Sequence, residues 1–103
     1  MENTQILSGK IIDIFPLEKD DELGGIRWFI VETNAENAGS KVGKLAFSCF
    51  AKGHNARHLD ELEKGMYVEV EGTLVLEMVA KGESNIWFDV EHIDYEPKKL
   101  KRL

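Results

Sequence analysis

Val42-Gly-Lys-Leu-Ala-Phe-Ser-Cys-Phe-Ala51, followed by Asn55-Ala-Arg-His-Leu-Asp-Glu-Leu-Glu-Lys64 and then Met66-Tyr-Val-Glu-Val-Glu-Gly-Thr-Leu-Val-Leu-Glu-Met-Val79, changes its apolar period twice. In the first piece Leu45, Phe47 and Cys49 share one face, while Lys44, Ala46, Ser48 and Phe50 share the other, the two-residue period of a strand. The second piece spaces Ala56, Leu59 and Leu62 as one side of a helix. Asn55 can cap its start and Gly65 can close its end. In the third, Val68 and Val70 alternate with Glu69 and Glu71, and Gly72 offers a bend. One helix therefore sits between two two-faced strands.

Outward from this centre the same alternation recurs. Gln5 to Phe15 is rich in Ile6, Leu7, Ile11, Ile12, Ile14 and Phe15, with Gly9 inside it as an expected bulge or bend, and Pro16 ends it. Glu18 to Gly25 reads as a charged turn closed by glycine. Ile26 to Thr33 sets Phe29, Val31 and Thr33 against Trp28, Ile30 and Glu32, before a polar loop over 34–40. After the centre, Lys81 to Asn85 reads as a hairpin loop. Ile86 to Tyr95 then sets Ile86, Phe88 and Val90 against Trp87, Asp89 and Glu91, and Pro97 stops it. Two-faced strands favour an antiparallel sheet. A helix between the third and fourth of five strands is how a small Greek-key barrel of the OB type is plugged. The expected fold is thus an all-β, five-stranded OB barrel with one short helix. Residues 1–97 form the barrel domain and 98–103 a short basic tail.

The bulk composition fits this. At 103 residues, 43% hydrophobic and 31% charged, the chain has room for one domain with one core. Cys49 is the single cysteine, so no disulfide is expected within the chain, and its parity places it in the core. No signal peptide and no membrane span are read, and the expected location is the cytoplasm. The net charge of −6 runs against a phosphate binder, although it is uneven. Residues 1–40 carry three bases against eight acids, while residues 41–103 carry ten against eleven.

Phe47-Ser-Cys-Phe50-Ala-Lys52-Gly, a short helix, and then Leu62-Glu-Lys64-Gly65-Met-Tyr-Val68-Glu-Val70-Glu71-Gly72-Thr-Leu74 resemble the bacterial single-stranded DNA-binding protein family. Leu7-Ser-Gly9-Lys10-Ile and Val31-Glu-Thr-Asn34 fit the same pattern, and the resemblance covers roughly residues 5–96. The length is similar to primosomal replication protein B, a short relative within that family. The resemblance implies an OB barrel whose outer aromatics stack on bases, with Phe50 the position carried over first and Lys52 following it as a backbone contact. Two stretches depart from the pattern. The strand after Gly72 reads Val75, Leu76, Glu77, Met78, Val79 rather than basic and aromatic. An acidic C-terminal tip is replaced by Lys98-Lys-Leu-Lys-Arg-Leu103, so no partner-recruiting role is carried over.

Trp28, Phe50 and Trp87 fall on faces opposite the core set, where rings act either as stacking platforms for bases or as cover for an oligomer interface. Lys41, Lys44, Lys52, Arg57 and Lys81 edge the same groove, or else belong to an ordinary mixed-charge surface. The nucleic-acid-binding set read from the sequence is Trp28, Lys44, Phe50, Lys52, Arg57, Lys81 and Trp87. His54 and His58, four apart, have a metal-ligand spacing without an obvious third ligand, and a surface helix explains them better. Gly39 to Leu45 misses a phosphate-binding loop at both ends, with Ala38 and Leu45 where glycine and a hydroxyl belong. No catalytic pair, metal or cofactor is expected. The reading is a non-enzymatic module that binds single-stranded DNA with little sequence preference, in replication, recombination or repair, as a homo-oligomer (dimer or tetramer). An RNA-binding OB domain and an OB module for protein–protein interaction are the alternatives.

Overall fold

The structure, a computed structural model, describes residues 4–34 and 43–95. Lys41, most of the polar loop and the basic tail lie outside them. The elements are β1 (Gln5–Ile14), β2 (Ile26–Asn34), β3 (Lys44–Lys52), α1 (His54–His58), a 3-10 turn (Leu59–Glu61), β4 (Tyr67–Ala80) and β5 (Glu83–Tyr95). The strands close into a barrel in the order β1-β2-β3-β5-β4, with β4 returning to β1. Every pairing is antiparallel except β3 with β5, which run parallel where Cys49 meets Phe88 and Phe50 meets Asp89. This is the OB barrel, with its helix between β3 and β4.

Alternation decides which residues enter the core. Leu7 and Ile11 of β1, Phe29 and Val31 of β2, Cys49 and Ala51 of β3, Val68 and Val70 of β4, and Phe88, Val90 and Ile93 of β5 are buried. Ala56, Leu59 and Leu62 close the barrel's end from the helical segment. The step from Val90 to Ile93 breaks a strict period of two. The β4–β5 register shifts between Glu71 and Gly72, leaving Glu91 as an extra residue that turns the strand over.

Four details differ from the sequence reading. The helix stops at His58 rather than Lys64, because the next residues tighten into the 3-10 turn and Leu62 is already extended. Asn55 does not cap it: the N-cap is Gly53, and the Asn55 amide donates instead to the Glu91 carbonyl at 3.0 Å, tying α1 to β5. In β1 the register shift falls at Ile11/Asp13 and not at Gly9. Gly9 is a point of close approach, where a Cβ would run into the Glu32 carbonyl across the sheet. The hairpin turn is only Lys81-Gly82, since Glu83 is already paired with Ala80.

The turn before β2 is built by one side chain. Asp20 accepts the Glu22 and Leu23 amides on its carboxylate at 3.0 and 2.9 Å, while its carbonyl takes Gly24 N–H. Arg27 and Arg57 brace this end of the barrel. Arg27 donates to the Phe15 carbonyl at 2.7 Å and to Asp60 at 2.6 Å, and Arg57 donates to the Gly24 carbonyl at 2.8 Å. No helix among the described residues is long and apolar enough to cross a membrane.

Cys49 is wholly buried, and that burial pushes its thiol up from 9.0 to about 12. The folded pKa is raised, so the folded state holds its proton while the unfolded chain releases it. Stability from this group is intact below pH 9 and falls as pH climbs toward 12. One unit above the unfolded pKa the loss should approach about 1.4 kcal/mol. Denaturant titrations at successive alkaline pH values should show that slope in the wild type and lose it in Cys49→Ala. Native protein should also resist thiol alkylation until it is unfolded.

Candidate nucleic-acid interface

β2, β3 and β5 each present one ring on the outside of the barrel. Trp28 and Phe50 are direct cross-strand partners. Phe50 is level with Asp89, which places Trp87, two residues earlier, on the same outer face of β5. Their inward neighbours Phe29, Cys49 and Phe88 are buried, which fixes the rings outward. Ring centroids of Trp28 and Phe50 lie 4.9 Å apart at 50°, and those of Trp28 and Trp87 lie 6.4 Å apart at 76°. These are tilted and edge-on contacts, the arrangements aromatic quadrupoles prefer. All three side chains are half-buried, each held by its neighbours with part of the ring open to solvent.

Lys52 completes the cluster. Its ammonium lies 5.7 Å from the Phe50 ring centroid and 2.5 Å from an Asp89 carboxylate oxygen. Lys52 and Phe50 share a face because they are two residues apart on β3, a relation the sequence shows. Asp89 reaches them only through the parallel β3–β5 pairing. Sequence reading saw Asp89 on the outer parity but had no signal for that partnership.

The other predicted cations stand away from the rings. Lys44 is six residues from Phe50 along β3, roughly 20 Å, with its ammonium 3.8 Å from Glu32. Lys81 lies in the tight turn between β4 and β5. Arg57 sits beyond the other end of β3, near Gly53, and its guanidinium is engaged by Gly24. The structure thus brings Trp28, Phe50, Trp87 and Lys52 together, with Lys44 at the start of β3, Lys81 in the β4–β5 turn and Arg57 past the end of β3. Ser8, Lys10, Glu32, Lys44 and Tyr67 line a separate groove, which none of the three rings enters.

The histidines face elsewhere. His54 and His58 stack at 5.8 Å, and His58 meets the Tyr95 ring at 5.3 Å. Tyr95 donates its hydroxyl to Glu61 at 3.1 Å, and this bond to a carboxylate holds the phenol's ionisation above its ordinary value. No group of three His, Cys, Asp or Glu side chains able to hold a metal occurs among the described residues.

The whole architecture is similar to that of known structures. One is the crystal structure of the SSB domain of a protein from Synechococcus sp., with a TM-score of 0.72 over 92% of this chain and 97% of that one. The two are 16% identical in sequence, so the likeness carries the OB fold of an SSB domain and not an assignment to primosomal replication protein B. No family model matches the chain, and no curated protein matches it in sequence.

Proposed function

We propose that this protein binds single-stranded DNA with little sequence preference. Bases stack on Trp28, Phe50 and Trp87, Lys52 contacts the backbone beside them, and Lys44, Lys81 and Arg57 extend the path at either end. The observation that carries the reading is the convergence of rings from three separate strands on one outer face of an OB barrel. Every base has a π-face, so such a platform binds without reading sequence, at about 1–3 kcal/mol per stacked base. Replication, recombination or repair are the processes that expose such strands. Single-stranded RNA would meet the same rings, and the 2′-hydroxyl would decide between the two.

Titration with oligo-dT, followed by tryptophan fluorescence, tests this directly. Quenching is expected, with log affinity falling against log salt at a slope near −2, from about three phosphate contacts at roughly −0.7 each. Silence at low salt overturns the reading. The basic tail, Lys98 to Arg102, is the rival source of any salt dependence. If truncation after Glu96 abolishes binding and slope while Lys52→Ala changes nothing, the tail is the site and the ring face is not.

A protein-interaction role has its own support in the β4–β5 hairpin. Beyond Gly72, the last β4 residue paired with β1, Leu74, Leu76 and Met78 with Ile86 are exposed on one side, and Val79 at the register shift is exposed as well. Apolar area of this kind marks interfaces. Together with Ile30 and Val75 it leads us to expect a two-fold homodimer. Sedimentation at micromolar concentration should give a mass above the 11.7 kDa chain, and a purely monomeric boundary rules the dimer out.

A further inference from the structure

Asp89 has no place in the stacking reading, yet it occupies the centre of the site. It is level with Phe50 in the β3–β5 register, and its carboxylate oxygen lies 2.5 Å from the Lys52 ammonium. The same ammonium stands 5.7 Å from the Phe50 ring centroid, where the backbone of a base stacked on that ring would pass. Both side chains are about one-third exposed, Lys52 at 35% and Asp89 at 39%, so an anion arriving from solvent can reach the pair. A carboxylate and a phosphate oxygen make the same charge-assisted bond to an ammonium.

Building on the stacking reading, we propose that Asp89 is an internal stand-in for a backbone phosphate and tunes the face toward unpaired strands. In the free protein Asp89 neutralises Lys52. Binding exchanges the carboxylate for a phosphate, and the displaced carboxylate turns to water. The gain from Lys52 is thereby reduced, and affinity must come from the rings. A duplex keeps its bases stacked inside and offers only phosphates, so it meets a face whose central cation is already satisfied. A single strand can offer bases as well. The negative charge at the site, an objection to phosphate binding when counted from the sequence, acts here as discrimination between two polyanions.

Asp89→Asn retains the shape and removes the charge. An exposed ion pair is worth little, so the expected gain in oligo-dT affinity is modest, about two- to fivefold at low salt. The salt slope should steepen by about 0.7, one freed phosphate contact. Affinity for a duplex of equal length should rise by a larger factor than affinity for oligo-dT. In a Lys52→Ala background the same substitution should lose its effect on the slope. Asp89→Ser serves as a second variant, and thermal melting confirms that each is folded.

If Asp89→Asn leaves affinity and slope unchanged, no phosphate competes for Lys52 and the proposal falls. Weaker binding would mean that Asp89 positions Lys52 rather than masking it, which also overturns it. So would an equal gain in the Lys52→Ala background, which would assign the effect to the general field. These failures differ from failure of the stacking reading: there the wild type itself gives no ring-dependent quenching, and both proposals fall together.

Discussion

Adding one methyl group at Gly72 should destabilise the barrel by about 3 kcal/mol, among the largest effects of any single conservative change. Gly72 sits at the β4–β5 register shift, paired with Val90. A Cβ there would overlap the Asp89 carbonyl oxygen, with its carbon only 2.9 Å away and the Phe88 ring 3.0 Å away on the core side. The obstacle is backbone, so no side-chain rotation relieves it. Relief requires β5 to move outward, which unpacks Phe88 from the core and shifts Trp87 and Asp89 together. Thermal unfolding of Gly72→Ala should begin roughly 10–20 °C below the wild type. Gly82→Ala is the control. Its φ of 73° disfavours a side chain, but nothing lies within 4 Å of the added carbon, so about 1 kcal/mol is expected. Equal melting temperatures for the two variants would mean that the strand crossing is not the constraint.

The residues that made the fold legible are those whose neighbours in sequence settle their orientation. Phe29 and Val31 alternate with Trp28, Ile30 and Glu32, Cys49 and Ala51 flank the outward Phe50, Phe88 and Val90 flank Asp89, and each pair is buried. Gly72 was legible as an irregular point in its strand, and the β4–β5 register shifts beside it. What stayed hidden depends on contacts distant in sequence. The extra residue at Glu91 shifts the parity of β5, and only pairing with Glu71 and Gly72 reveals it. Asn55 looks like a helix cap, but the helix already begins at His54, and the Asn55 Nδ2 donates to the Glu91 carbonyl of β5. Helical spacing at Ala56, Leu59 and Leu62 fits an α-helix, but the same residues also plug the barrel through a single turn and a 3-10 turn.

The candidate site divides along the same line. Trp28, Phe50 and Trp87 could each be placed on an outer face from local alternation. That they meet, and that Lys52 is bound to Asp89, follows from the β2–β3 and β3–β5 pairings. Arg57 illustrates the opposite case. A cation beside the predicted groove also donates to a backbone carbonyl of the turn before β2, a contact that nothing local in the sequence signals. Cations read one at a time carry little information about function, since their partners are set by tertiary structure. The rings carry more, because an outward aromatic flanked by inward core residues has few structural reasons to be there.

Phe50→Ala should weaken oligo-dT binding by about 1–3 kcal/mol, or roughly 5- to 150-fold, and Trp87→Ala should do the same. The two substitutions probe different parts of one cluster, since each ring contacts Trp28. Both rings are half-buried, and a ring pair contributes about 0.5–1.5 kcal/mol beyond its buried area, so each variant should melt only slightly below the wild type. Affinity should therefore fall further than stability, which separates a binding residue from a packing one. The chain has two tryptophans, and Trp87→Ala leaves Trp28 as the only reporter. Residual quenching in that variant would then report a base at Trp28, beside Phe50, and adding Phe50→Ala should weaken the binding that produces it. The salt slope discriminates once more: losing a ring should lower affinity at every salt concentration and leave the slope alone, because no phosphate contact is lost. If folded Phe50→Ala binds oligo-dT as tightly as the wild type, the ring face is not where the strand lies.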